Sequence, residues 1–317
     1  MSPDPIDVVI LSWNRVQMTL EAVTSVIEQE DILPCVWVLD QGSDSENARQ
    51  LEESFRALPQ VRFIQVGRNL GVADGRNRGI GCGSAPVAVC LDNDAVFRDR
   101  DALRHALTRF QEDDRLGALG FSILDSETGQ VDRRSWVYPR AQLADRRSSF
   151  VTTRFCGAGH ALRRDAFNQA GGYDPSLFFY WEEVDLSNRL IERGYRILYD
   201  PGVVVLHRKT GEGRYHWRDN RFYYLVRNAL YLDWKYYRSL GRLALLASGY
   251  ILKGMYNAVL MQGIRGIWDA IPRMKNLPRQ AAHLGPAARD YIALHELRYR
   301  GNIWNRLRHE VLERLES

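Results

Sequence analysis

Val87-Ala88-Val89-Cys90-Leu91-Asp92-Asn93-Asp94 carries five apolar residues straight into two carboxylates flanking one asparagine. A short apolar run of this kind reads as a buried strand, and the acids mark its carboxyl end. Upstream, Asp7-Val8-Val9-Ile10-Leu11 is a similar run, followed by a helical pattern with Val16, Leu20, Val23 and Ile27 on one face. Val36-Trp37-Val38-Leu39-Asp40 is a second strand ending in a carboxylate, and Gly42-Ser43-Asp44-Ser45 is a turn that can cap the next helix. Val61 to Val66 adds a strand, and a Gly/Asn-rich helical stretch leads back to Val87. This β-α-β alternation predicts a parallel sheet covered on both sides. Ligands of such sheets bind at the carboxyl ends of strands, where Asp40 and Asp92 fall.

Downstream, Leu103, Ala106, Leu107 and Phe110 share one side of a helix, and residues 125–150 read as a polar loop over the cleft. Val203-Val204-Val205-Leu206-His207 is a strand ending in a histidine, and from about residue 220 the pattern is helical. The 317 residues fit one large α/β unit with an appendage. We expect a catalytic unit over 1–219, its nucleotide-binding part about 1–98 and its acceptor part about 99–219, then a basic helical region over 220–317.

The composition is ordinary for a globular chain, with 45% hydrophobic and 26% charged residues. Cys35, Cys82, Cys90 and Cys156 are widely spaced without a CxxC pair, which argues against a disulfide framework or zinc knuckle and for a reducing cytoplasm. The N-terminal residues lack the pattern of a secretory signal. Charge divides unevenly: from His207 onward 20 Lys and Arg face 9 Asp and Glu, a net +11, leaving −7 of the total +4 for residues 1–206. Leu243 to Ile271 holds apolar runs broken by Lys253, Arg265 and Asp269, too short to span a bilayer. A basic amphipathic segment can lie on an anionic membrane surface or pack as an ordinary helical subdomain.

Hard divalent cations such as Mn²⁺ or Mg²⁺ take carboxylate oxygens and share them with substrate phosphates, which Asp92 and Asp94 can provide. Such triplets also merely end strands, since Asp and Asn are common turn formers. In Trp181-Glu182-Glu183-Val184-Asp185, three carboxylates crowd beside Phe178, Phe179 and Tyr180. Clustered acids next to apolar rings raise one another's proton affinity, which suits a general base, whereas acids in a first helical turn also suit the helix dipole. At helical spacing Glu182 and Asp185 share a face and Glu183 points elsewhere. His207 can offer an imidazole to a metal.

Taken together these stretches resemble the family 2 glycosyltransferases with a GT-A fold, especially the bacterial rhamnosyltransferase-like branch. The resemblance runs over residues 6 to 232 and includes Ser12-Trp13-Asn14-Arg15, Asp40-Gln41-Gly42-Ser43-Asp44, Asn69-Leu70-Gly71, Asp92-Asn93-Asp94 and Gly157-Ala158-Gly159. It continues through Gly171-Gly172-Tyr173-Asp174, Tyr180 to Asp185, His207 and Asn220 to Asn228.

The resemblance implies a Rossmann-like, mostly parallel central sheet flanked by helices, with a C-terminal helical extension. It implies an inverting, metal-dependent transfer of a sugar from a UDP- or dTDP-sugar to a saccharide or lipid-linked saccharide in bacterial surface polysaccharide or glycoconjugate assembly. Asp40 would contact the base, and Ser12, Asn14, Arg15, Gly71, Arg76, Asp92 and Asn93 would line the donor site. Asp92 and Asp94, with His207, would hold Mn²⁺ or Mg²⁺. Glu183 would act as base, with Glu182 and Asp185 beside it. The expected location is cytoplasmic, peripheral on the inner face of the cell membrane.

Other classes fit less well. Gly79-Ile80-Gly81-Cys82-Gly83 precedes a strand instead of following one, so a dinucleotide fingerprint fails in context. The arginines of the second half are dispersed among apolar residues, which does not point to nucleic acid. A module that kept the fold and lost catalysis is the remaining alternative.

Overall fold

The structure is a computed structural model that describes residues 4–208, 220–278, 284–301 and Leu315. Four strands, β1 (Pro5–Ser12), β2 (Leu33–Asp40), β3 (Val61–Gln65) and β4 (Val87–Asp92), lie parallel in the order β3-β2-β1-β4. The helices between them, α1 (Val16–Ile27), α2 (Ser45–Phe55) and α3 (Gly71–Cys82), supply the crossovers that parallel pairing demands. All of β4 but its last residue is buried, as its apolar run requires. On α1 the buried stripe is Thr19, Ala22, Val23 and Val26, with Val16, Leu20 and Ile27 only partly buried. The expected face is rotated because Thr19 is drawn inward by hydrogen bonds to the Ser12 hydroxyl and the Arg15 carbonyl.

The chain continues through β5 (Ala95–Phe97), α4 (Ala102–Glu112), β6 (Leu116–Asp125), β7 (Phe150–Thr152), β8 (Gly159–Arg163), α5 (Arg164–Ala170), α6 (Glu182–Glu192) and β9 (Arg196–His207). These extend the sheet to β3-β2-β1-β4-β8-β6-β9-β5, with β7 on β9. β8 is antiparallel to both β4 and β6, which leaves β6 and β9 running in the direction of β4. Ser12, Asp40, Asp92, Asp125 and His207 therefore all stand at carboxyl ends along one edge of the sheet. Strand order changes direction beside β1 and β4, the place where such sheets open a crevice.

Beyond the sheet come α7 (Phe222–Tyr237), α8 (Leu240–Tyr256), α9 (Leu260–Lys275) and α10 (Pro286–His295). The boundary expected at 219/220 adjoins residues outside those described. Tyr231, Leu232 and Tyr236 of α7 and Ala288 and Ile292 of α10 share one core with Leu186 and Leu190 of α6. α8 and α9 instead pack on the opposite side of α7, around Phe222, Val226 and Leu230. Among the described residues no helix is long and apolar enough to cross a membrane.

α6 is locked to α7 through Asp185, which is fully buried and pairs with Lys235 Nζ at 2.6 Å, Arg189 Nη2 at 2.7 Å and the Tyr236 hydroxyl at 2.8 Å. Removing one partner of a buried pair costs about 3–5 kcal/mol because it strands the other charge. Arg189 and Tyr236 remain in a Lys235→Met variant, so we expect the lower end, about 3 kcal/mol, read as a fall in the urea midpoint at unchanged slope.

Candidate active site

The strand ends bring Asp92, Asp94 and His207 to one place, because β4 and β9 both finish there and β5 pairs with β9 between Ala95 and His207. His207 Nε2 lies 3.4 Å from Asp94 Oδ1, and its Nδ1 lies 3.0 Å from Asp132 Oδ2. Burial alone would lower the proton affinity of this imidazole, but the bonds to Asp132 and Asp94 outweigh it and raise the pKa to about 9. Asp132 is fully enclosed; burial would raise its pKa, yet the His207 and Ser135 bonds hold it well below the usual carboxylate range. A carboxylate behind a histidine fixes its tautomer and ring plane, the usual support of a metal-ligating imidazole. Asp132 had no signal in the sequence, since a single acid in a polar loop looks like any turn residue.

Asp94 also accepts from Arg15 Nη1 at 2.8 Å. Asp92 keeps 42% of its side chain open, yet protein groups surround it. That partial dehydration raises its pKa, Arg76 opposes the rise, and Asp94 adds to it. Among the described residues no three acidic, histidine or cysteine side chains are gathered tightly enough to form a closed metal cluster.

α6 starts after a strained approach: Phe178, Tyr180 and Trp181 all have positive φ, at 63°, 69° and 75°. Side chains rarely tolerate this region, at roughly 1–3 kcal/mol per residue, unless their surroundings enforce it. Here the enforcement comes from α7. Asn228 Nδ2 donates to the carbonyls of Leu177, Phe179 and Tyr180, Arg227 donates to Ser176 and Leu177, and Trp181 Nε1 donates to Leu225. Gly71, at φ +79°, lies against this loop, where any Cβ would overlap the Phe178 carbonyl. The result turns Glu183 toward the strand ends, its Oε1 2.8 Å from Arg76 Nη1.

The three acids of α6 separate by environment. Asp185 points into the α6–α7 core, away from the position beside the base that the resemblance implied. Glu182 is buried with one carboxylate oxygen unpartnered, and burial, then the charge of Glu183, push its pKa well above the usual range. Both favour its neutral form, and the charge of Arg76 opposes them. Glu183 alone of the three is partly open and faces Arg76.

The remaining expected donor-site residues line the same edge with varied tasks. Asp40 is buried, its carboxylate accepting from the backbone and hydroxyl of Ser43. It borders an open depression of about 370 Å³ whose lining includes Ser43, Arg49, Gln65 and Gly67 but neither Asp92 nor Glu183. Asn14 accepts from the Asp44 backbone and so ties the β1–α1 loop to the β2–α2 loop. Asn93 donates to Thr19 at 3.2 Å, whose hydroxyl also meets Ser12 at 3.0 Å. Arg76, expected at the nucleotide, is only 3% exposed and sits between Asp92 and Glu183.

The open α/β sheet thus carries paired acids at its switch point and a carboxylate-rich helix beside them. The sequence model of glycosyl transferase family 2 matches residues 7–171, and the chain belongs to that family. It is 29% identical over 211 residues to the N-acetylglucosaminyl-diphospho-decaprenol L-rhamnosyltransferase of Mycobacterium tuberculosis, covering 55% of this chain and 66% of that one. It is 24% identical over 200 residues to the poly-β-1,6-N-acetyl-D-glucosamine synthase of Staphylococcus aureus, covering 59% of this chain but 45% of the synthase. The mannosyltransferase PcManGT from Pyrobaculum calidifontis, solved with GDP-Man and Mn²⁺, superposes with a TM-score of 0.58 at 18% identity over 97% of this chain and 84% of that one. The fold is GT-A, as the sequence motifs implied.

His207 binds its proton more tightly folded than unfolded, where 6.5 is the ordinary value. The stability this supplies is fully present below about pH 6.5 and lost as pH rises through about 9. At 1.36 kcal/mol per unit the loss is about 3 kcal/mol in metal-free protein. Urea unfolding from pH 6 to 10 should show that decline in the parent and not in His207→Gln. Matching slopes in the two proteins would contradict the Asp132–His207–Asp94 pairing.

Proposed function

We propose that this protein is an inverting, metal-dependent glycosyltransferase that moves a sugar from a UDP- or dTDP-sugar to a hydroxyl of a saccharide or lipid-linked saccharide. The assembly of bacterial surface polysaccharide or glycoconjugate is the setting its relatives' names favour. One observation carries the reading: a partly open carboxylate, Glu183, is held through Arg76 beside Asp92 at the strand end.

The donor's base fits the depression beside Asp40, and its diphosphate extends from there along the strand ends toward Asp92 and Asp94. The donor set of Asp92, Asp94 and a carboxylate-oriented His207 suits a hard divalent cation that shares its remaining positions with phosphate oxygens. Asp92, Asp94 and His207 would hold Mn²⁺ or Mg²⁺ there, and the cation would supply charge neutralisation for the leaving diphosphate. Arg15 keeps Asp94 oriented. Glu183 takes the proton of the acceptor hydroxyl as it attacks from the face opposite the diphosphate, and a one-step displacement of this geometry inverts the anomeric centre. Glu182, whose burial favours the neutral form, does not compete for that proton.

Glu183→Gln keeps size and removes the proton acceptor. We expect transfer from a UDP- or dTDP-sugar to fall about 10² to 10⁴-fold, while calorimetric binding of the nucleotide with Mn²⁺ persists. Turnover near the parental rate would move the base elsewhere, and nucleotide binding unaffected by EDTA would remove the metal. A parent that binds the donor and transfers nothing would favour the binding-module alternative.

The acceptor class accords with the outer face of α8 and α9, which we propose rests on an anionic membrane surface. Leu245, Met261 and Trp268 keep 72%, 71% and 68% of their area exposed, and Leu240, Leu252, Met255 and Tyr256 are exposed beside them. Large apolar side chains exposed in such number on two neighbouring helices suit an interaction surface. α8 and α9 carry five basic side chains, Arg242, Lys253, Arg265, Arg273 and Lys275, against Asp269 alone. That balance favours anionic headgroups over a neutral partner. The protein should co-sediment with phosphatidylglycerol-containing vesicles, less so at high salt, and a Leu245→Glu/Trp268→Glu variant should bind at least about tenfold more weakly. Equal binding by that variant, or concentration-dependent dimers in place of vesicle binding, would assign the face otherwise.

A further inference from the structure

Arg76 sits on α3, far in sequence from both carboxylates it serves. Its Nη1 donates to Glu183 Oε1 at 2.8 Å, and its Nη2 donates to Asp92 Oδ1 at 3.0 Å and to the Gly157 carbonyl at 2.8 Å. Each carboxylate gives one oxygen to the guanidinium, and the other oxygen accepts no hydrogen bond from the described residues. The planar fork holds two acids at a fixed separation, which a flexible point charge cannot do.

The surroundings hold that fork in turn. The Tyr173 ring centroid lies 5.9 Å from the guanidinium carbon. The Tyr173 hydroxyl meets His160 Nε2 at 2.6 Å, and His160 Nδ1 meets the Cys156 carbonyl at 3.0 Å. A carbonyl only accepts, so Nδ1 carries the proton and Nε2 accepts from Tyr173. This buried chain fixes the segment that leads into Gly157. A methyl group at Gly157 would overlap Glu183 Oε1, so the base reaches Arg76 only because residue 157 has no side chain.

We propose that Arg76 is the positioning residue of the reaction, setting the base Glu183 and the donor-side carboxylate Asp92 at the spacing that lets their free oxygens serve acceptor and donor together. This rests on the transfer reading above, and it departs from the nucleotide contact that the resemblance implied for Arg76. The guanidinium is too enclosed for that contact.

Gly157→Ala tests the idea with every charge in place, since the clash falls on the movable end of Glu183 and the glycine is not in the left-handed region. A misplacement of about 1 Å costs on the order of 10²-fold in rate, so we expect kcat to fall by about that factor with donor KM unchanged. Calorimetric affinities for UDP or dTDP with Mn²⁺ should match the parent. Arg76→Lys should lower kcat in the same way. A Gly157→Ala enzyme within about twofold of the parental kcat, or an Arg76→Lys enzyme that loses nucleotide affinity at unchanged kcat, would overturn the proposal. A second measurement needs no turnover. Asp92→Asn and Glu183→Gln share one partner, so their melting shifts should not add in the double variant, whereas additive shifts would overturn the shared guanidinium. Absence of transfer by the parent would count against the transfer reading, and the melting cycle would still judge Arg76.

Discussion

Carboxylates that gather at one edge of a sheet must each be matched by a cation, a proton or hydrogen-bond donors as they leave water, because an isolated buried charge costs far more than folding can supply. The acids of this centre are matched in different ways. Asp94 has Arg15 and His207, Asp132 has His207, and Asp185 has Lys235 and Arg189. Asp92 and Glu183 divide one guanidinium between them. Glu182 pairs directly with no cation among the described residues, and its burial favours the neutral form. Asp92 and Glu183, which share that guanidinium, are the acids to which the proposed reaction assigns chemistry.

The same economy explains why the C-terminal helices are not merely an appendage to the sheet. The approach to α6 strings together three residues in the left-handed region, a conformation the chain would abandon if left to itself. Asn228 alone meets three of its carbonyls, and Arg227 shares that of Leu177 and adds that of Ser176. α7 thus holds the loop that aims Glu183, while Lys235 and Tyr236, further along the same helix, anchor Asp185 one turn into α6. Stability and aim come from one helix. α8 and α9 pack on its other side and leave an apolar face outward.

Much of this was written locally in the chain. Apolar runs that end in Asp40, Asp92 and His207 announce parallel strands and their binding edge, because strand burial and turn chemistry act over a few residues. The helical spacing of Glu182, Glu183 and Asp185 separates the middle acid from the other two, as found. What spacing could not supply was the partner of each acid. Asp132 lies 75 residues from His207, Arg76 lies 107 from Glu183, and Lys235 lies 50 from Asp185. A charged residue in a helix or loop looks the same in sequence whether it faces solvent or closes such a pair.

Sequence alone therefore determined the parallel strands β1 to β4 and the last strand β9, with the acids at their carboxyl ends, since those follow from periodicity and chain direction, whereas β5 to β8 and their antiparallel pairings were not legible. Tertiary structure decided which acid favours its neutral form, which is structural and which is open, and it moved Arg76 from an expected nucleotide contact to a place between two carboxylates. The physical reason is that proton affinity and orientation are set by desolvation and by charges within a few ångströms, and those neighbours are brought together only when β4, α3, α6 and α7 pack.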